Sequence, residues 1–367
     1  MRCRALHRKV KIWDKFALII RSPPKGCQLC HIGAKLVLFI TGLCAEKCFY
    51  CPLSSERRGR DVIYANERKI TSVEEAFEEA HRMKALGTGV TGGDPLVKLD
   101  RTLSYIKALK NEFGDDHHIH LYTTPKLLTL EKVRKLEKAG LDELRIHPPL
   151  PLSSGALDSI KWVPRETSMD VGIEVPAIPG MLDTLITITE FAEEHDFLFV
   201  NLNELEMCDE NAFQLMARGM ELAGEDTSAV KGSREVSISL LNWASENTSR
   251  ITVHFCPVKV KERMQMRNRF IRTAMSISKP YEYVTEEGII EYAIVKGNLD
   301  EIKEFLEENH VPENMYEVDV EKQAILTSPE IALTLRKYVE NIECYVEGVY
   351  PDYYRTVVYR YELCPSG

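Results

Sequence analysis

The sequence predicts an α/β protein: a partial or full parallel βα barrel followed by a small α+β domain. Three observations carry this. Short apolar strands alternate with amphipathic helices from Lys35 to Phe255, the pattern of repeated βα units around a parallel sheet. Cysteine, Gly-Gly and Pro motifs fall at the ends of those strands, on one edge, where βα barrels carry their catalytic groups. Near Tyr281 the pattern changes, which marks a second domain.

Residues 1–34 read as an irregular basic arm. Nine Lys and Arg residues up to Lys35 face only Asp14, and Cys27-Gln-Leu-Cys30 follows the turn signal Pro23-Pro24-Lys25-Gly26. The domain at 35–280 opens with a strand over Lys35–Thr41. The clearest helix lies between Thr71 and Gly87, with Val73, Ala76, Phe77, Ala80 and Met83 at helical spacing. Strands are expected at Thr88–Thr91, His118–Thr123, Glu143–His147, Val171–Pro176, Phe197–Leu205 and Ile251–Phe255. Helices are expected at Asp100–Glu112, Thr129–Ala139, Leu182–Glu194, Asn211–Leu222 and Val236–Asn247. Residues 281–367 alternate strands at Ile289–Val295, Met315–Leu326, Glu343–Val349 and Tyr354–Tyr361 with helices at Leu299–Asn309 and Pro329–Val339. That order suggests a ferredoxin-like α+β accessory domain.

The chain has 367 residues, 44% apolar and 28% charged, with a net charge of −9. This is ordinary for a globular protein, and the acidity argues against bulk nucleic-acid binding. No apolar run is long enough for a bilayer span, and no signal-peptide pattern opens the chain. The expected location is the cytoplasm, where the ten cysteines point to metal or catalysis rather than disulfides.

Cys44-Ala-Glu-Lys-Cys48-Phe-Tyr50-Cys51 places three thiols within eight residues, directly after the first strand. Three thiolates are one short of the usual four around an Fe–S cluster, so one iron would stay open to another ligand. A zinc-binding or merely buried cysteine loop is the competing reading. The spacing, with Tyr50 before the third cysteine, resembles the radical S-adenosylmethionine (radical SAM) superfamily, and somewhat resembles its glycyl-radical (pyruvate formate-lyase) activating enzymes. The resemblance implies a [4Fe–4S] cluster on Cys44, Cys48 and Cys51 and S-adenosylmethionine on its open iron. It also implies a reductant such as ferredoxin or flavodoxin, and hydrogen abstraction by a 5′-deoxyadenosyl radical. Gly92-Gly93-Asp94-Pro95 stands where the superfamily carries Gly-Gly-Glu-Pro, so Gly92, Gly93, Asp94 and Pro95 are expected at the methionyl amino group. Asp94 is one methylene shorter than the usual Glu. Tyr50 of the cysteine loop is a further candidate for cofactor contact, as are Thr123, Thr124, Arg145, His147 and Glu174 at the strand ends, and Val175–Gly180 resembles the Pro-Gly turn of the activating enzymes.

Cys27, Cys30, Cys208 and Cys256 are candidates for an auxiliary Fe–S cluster or zinc, with Cys3, His31 or His254 as alternative ligands; Cys344 and Cys364 read as ordinary residues. Two basic stretches, Arg57–Arg60 and Lys259–Arg272, suit a phosphate, a carboxylate or an RNA backbone, or are simply solvated. The substrate stays open. A glycyl-radical partner protein, an RNA, a metabolite or lipid, and a non-enzymatic Fe–S electron carrier are the alternatives.

Overall fold

The structure is a computed structural model that describes residues 9–13 and 15–363. The expectations for Cys3 and Cys364 lie outside these residues. The chain forms two compact units. The first takes the residues up to 266 apart from 81–84, and the second takes 81–84 and the residues from 267 on.

The first unit is built from β1 (Lys11–Ile12), β2 (Leu18–Ile20), α1 (Lys25–His31), β3 (Lys35–Phe39), β4 (Ile63–Ala65), β5 (Arg68–Ile70), α2 (Val73–Arg82), β6 (Gly87–Thr91), α3 (Leu99–Phe113), β7 (His118–Thr123), α4 (Leu130–Ala139), β8 (Glu143–Ile146), β9 (Asp170–Ala177), α5 (Leu182–Glu194), β10 (Phe199–Glu204), α6 (Ala212–Met216), α7 (Ser233–Asn247), β11 (Thr252–Cys256) and α8 (Val258–Val260). The strands β3-β6-β7-β8-β9-β10-β11 run parallel in that spatial order. β4 and β2 add antiparallel at the two edges, followed by β5 and β1, and the outermost strands do not pair with each other. The barrel is therefore partial. It still curls far enough for residues of β3 and β11 to line one cavity.

Alternation along each strand sorts the side chains. Leu36, Leu38, Val90, Ile119, Leu121, Leu144, Ile173, Val175, Leu202 and Phe255 are fully buried, as are Ile106, Leu136, Ile188 and Leu240 of the surrounding helices. The helix stripes therefore have an apolar sheet face to cover. The alternate positions are polar: Lys35, Tyr122, Arg145, Glu174, Asn201 and His254 line the cavity. Helix ends follow local chemistry. Glu75 accepts from the backbone N–H groups of Thr71 and Ser72 (2.6 and 3.1 Å) at the start of α2, and Thr129 caps α4, which stops at left-handed Gly140.

Two expectations need correcting. The stretch before residue 34 is not irregular over its described part: β2 pairs antiparallel with β11, and α1 lies under the strand starts. Its Gly26 N–H donates to Glu143 of β8 (3.2 Å), and Leu29 packs against Gly87 of β6. Seven residues are too few for a helical period to declare itself. The helix expected over Asn211–Leu222 is only α6, because Gly219 turns at φ 74° and the chain continues through β-bridges Leu222–Val230 and Glu206–Ala229.

The second unit contains α9, which begins at the boundary (Met266–Ile277), β12 (Tyr283–Val284), β13 (Ile290–Lys296), α10 (Leu299–Glu308), β14 (Tyr316–Asp319), β15 (Ala324–Thr327), α11 (Pro329–Tyr338), β16 (Glu343–Val349) and β17 (Val357–Glu362). Its antiparallel sheet has the order β14-β15-β13-β16-β17, with β12 also on β13. The run β13-α10-β14-β15-α11-β16 is a split βαβ connectivity. Val295, Ile302, Leu306, Ile325 and Leu335 form its core.

Candidate active site

Cys44, Cys48 and Cys51 stand on the loop that leaves β3, above the C-terminal strand ends. Cys44 is exposed and the other two are half-buried; none is in a disulfide. The loop is fixed through its backbone. Gly42 N–H donates to Arg60 O and Gly59 N–H to Gly42 O, both at 2.8 Å. Thr41, Lys98 and Arg101 converge on Asp61 at 2.9, 2.9 and 2.6 Å, and the bonds from Arg101 and Lys98 hold its carboxyl well below the usual range. Arg57 stacks over Tyr64, 4.0 Å from the ring centroid, and Arg58 donates to Cys51 O. These basic residues brace the loop.

Gly92 and Gly93 extend β6 against the loop: Gly93 N–H donates to Thr41 O (2.7 Å) and Asp94 N–H to Leu43 O (2.8 Å). A Cβ at Gly93 would lie 2.4 Å from Leu43 O, and one at Gly92 2.5 Å from Thr41 O. Glycine is required because two backbones meet there. Asp94 is fully buried and turned inward. Its carboxylate accepts from Leu96 N (3.0 Å), Thr123 Oγ1 (2.8 Å), Thr124 N (3.1 Å) and Thr124 Oγ1 (2.9 Å). Asp94 thus ties the ends of β6 and β7 together, and Pro95 opens the turn that follows.

Tyr50 is buried too. His147 donates through Nδ1 to the Glu174 carbonyl (2.9 Å), so its Nε2 accepts the Tyr50 hydroxyl (2.9 Å), whose oxygen accepts from Leu150 N–H (2.9 Å). Burial lowers the His147 pKa and keeps the ring neutral. Asn211 of the loop after β10 donates to Tyr50 O (3.1 Å). The cysteine loop is therefore propped from β8, β9 and β10 as well as β6. Burial pushes the Cys48 thiol up to about 11.

Below this rim lies a cavity of about 390 Å³. Arg145 is buried at its wall and donates to Glu143 (2.5 Å), Glu174 (2.7 Å), Tyr122 Oη (3.3 Å) and Cys27 Sγ (3.4 Å). Glu174 also accepts from Asn201 (3.1 Å) and Asn203 (2.8 Å). Burial alone would raise its pKa; Arg145 and the two amides outweigh that and hold it low. Cys27 and Cys30 of α1 and Cys256 of β11 line the same cavity, whereas Cys208 does not. Asn201 donates to Cys27 Sγ (3.3 Å). Among the described residues no three His, Cys, Asp or Glu side chains converge as a ready-made metal ligand set.

Residues 38–148 match the family model described as the radical SAM superfamily. A protein of Methanocaldococcus jannaschii, provisionally named a glycyl-radical enzyme activating enzyme, is 39% identical over 345 residues, 89% of each chain. The chain belongs to the radical SAM superfamily. The crystal structure of Streptococcus suis SuiB bound to S-adenosylmethionine superposes with a TM-score of 0.44 at 11% identity, covering 63% of this chain and 52% of SuiB. Methylornithine synthase superposes at 0.39 and 10%, covering 60% and 70%. Both values are too low to add to the family assignment.

This radical SAM protein is an enzyme, and among its described residues no helix is long and apolar enough to cross a membrane. Its donor set fits the family's cluster. Three soft thiols share one braced loop, none of them in a disulfide and Cys44 open to solvent. Sequence reasoning missed Lys35, Tyr122, Asn201, Asn203 and Gln265 as cavity residues, whereas Lys261 belongs to the basic stretch it named. For the strand residues the signal was present: polar side chains at alternate positions of otherwise apolar strands.

Proposed function

We propose that Cys44, Cys48 and Cys51 hold a [4Fe–4S] cluster and that the enzyme cleaves S-adenosylmethionine there to abstract hydrogen from a substrate in the barrel. The observation that carries this is the cysteine loop, bonded through Gly92–Asp94 to the strand edge directly above a polar cavity. When bound, the cluster supplies the electron that releases a 5′-deoxyadenosyl radical. The chain's own residues hold the reactants in line and exclude water. Gly92 and Gly93 offer backbone groups at the rim, and Asp94 fixes them through Thr123, Thr124 and Leu96. Tyr50 and His147 set the loop's height. Glu174, held by Arg145 and Asn203, presents a charged acceptor between rim and cavity.

Anaerobic reconstitution with iron and sulfide, followed by dithionite and S-adenosylmethionine, should yield 5′-deoxyadenosine. Cys48→Ala should lose both that product and the spectroscopic signal of a cofactor-bound cluster; unchanged binding in this variant would sink the ligand assignment.

The chamber thiols Cys27, Cys30 and Cys256 are assigned as hydrogen-bonded side chains rather than as ligands of a second cluster or zinc. A Cys44/Cys48/Cys51 triple-alanine variant should then carry no metal, whereas retained iron or zinc would give them that role. The residues from 281 on are assigned as a ferredoxin-like accessory domain; the split βαβ connectivity supports it. A glycyl-radical partner protein is a second reading of the substrate, favoured by the name of the Methanocaldococcus relative. Electron paramagnetic resonance of the enzyme mixed with such a partner tests it.

A further inference from the structure

Three cations line the chamber. Arg145 is matched by Glu143 and Glu174, and Lys261 by Glu206. Lys35, the first residue of β3, is different. Gly89 on the neighbouring strand makes room for its stem; a Cβ there would lie 3.2 Å from Lys35 Cδ. Its ammonium bonds the sulfur of Cys30 at the chamber floor, and no carboxylate among the described residues pairs with it. A half-buried ammonium that faces the chamber with no carboxylate partner is free to receive an anion. At the other end of the parallel run, His254 is 1% exposed, and its Nε2 has no partner, while Nδ1 meets Asn201 Oδ1 at 3.2 Å.

We infer that the chamber binds the substrate and that the substrate is a small molecule with an acidic head group, a carboxylate or phosphate, received by Lys35. The inference rests on the radical chemistry proposed above. The volume suits a small-molecule site. An acidic group at the floor supplies the missing counter-charge and directs the rest of the molecule past His254 toward Thr91 and Glu174 at the rim. A charge-assisted bond of this kind, made away from water, is stronger than a neutral one.

The test uses the full-length reconstituted protein without oxygen. Trp13 lies 4.0 Å from the His31 ring and 5.2 Å from that of His254, so its fluorescence reports on the chamber. Acetate and inorganic phosphate are the probes, and the tighter one names the head group. One of them should bind saturably, one per chain by calorimetry. Lys35→Met should weaken it about ten- to hundredfold, and Lys35→Arg should restore most of the affinity. Equal affinity in wild type and Lys35→Met overturns the inference. So does no saturable binding to wild type, which leaves a polypeptide segment as the substrate. 5′-Deoxyadenosine formation by wild type is measured on the same preparation; its absence fails the proposed function and leaves the anion result standing by itself.

Discussion

Asp94 spends its carboxylate on four donors from β7 and the turn that follows β6. This makes it a positioning residue, and it explains how a side chain shorter than Glu can occupy the motif: it does not reach out of the protein. Asp94→Asn keeps the size but turns an amide N–H₂ toward donors that need an acceptor. The expected loss is about 1–3 kcal/mol, read as a lower urea midpoint of the anaerobic protein, together with reduced S-adenosylmethionine retention. A midpoint equal to wild type would mean that the carboxylate faces the cofactor instead. Tyr50→Phe is a second case. It strips the acceptor from the buried Leu150 N–H and the donor from His147, and should cost about 1–3 kcal/mol. The same variant should lose cluster more quickly, followed as bleaching of the iron–sulfur absorbance.

The end of β6 and the cysteine loop meet backbone to backbone, and glycine is what allows it. At Gly42 an added Cβ would lie 1.6 Å from Arg57 O, and at Gly93 2.4 Å from Leu43 O. Neither neighbour is a side chain that can swing away. Gly42→Ala and Gly93→Ala should therefore give folded but iron-poor protein, with Gly42→Ala the worse of the two. Gly59, in the same loop, has φ 71° and open space around its Cα, so Gly59→Ala costs only backbone strain, about 1 kcal/mol, and should keep its iron. Iron per chain across the three variants is the measurement. Equal iron in all three would remove the close approach as the reason for the Gly-Gly pair.

The histidines set the acid response of the whole barrel. Burial lowers the pKa of His117 to about 4 and places His118, His120 and His147 below the ordinary value near 6.5; His254 is lowered to about 3. The unfolded chain binds protons at these sites before the folded one does. Their contribution is complete above about pH 6.5 and is lost as pH falls through each folded-state value; for His117 the loss runs down to about pH 4. Stability should therefore drop as pH falls below about 6.5. His117→Gln should flatten that slope by one proton's worth, because the His117 ring bonds Thr88 and stacks on Phe113. Denaturant midpoints against pH, for both proteins, decide it.

The sequence by itself determined the α/β class, the order of most strands and helices, and the family. Apolar periodicity and the Cys44–Cys51 and Gly92–Pro95 motifs are local properties, legible without any long-range contact. It did not determine α1, whose seven residues carry no period, nor the early end of α6 at Met216, before the Gly219 turn. Nor did it show that Asp94 faces inward, since only the approach of Thr123 and Thr124 decides where that carboxylate points. The polar chamber was the least legible part. Lys35, Tyr122, Arg145, Glu174, Asn201 and His254 come from six strands, and a strand residue's neighbours are set by the curl and register of the sheet. Only the folded barrel brings the Lys35 ammonium into the chamber beside Cys30, where no carboxylate among the described residues pairs with it.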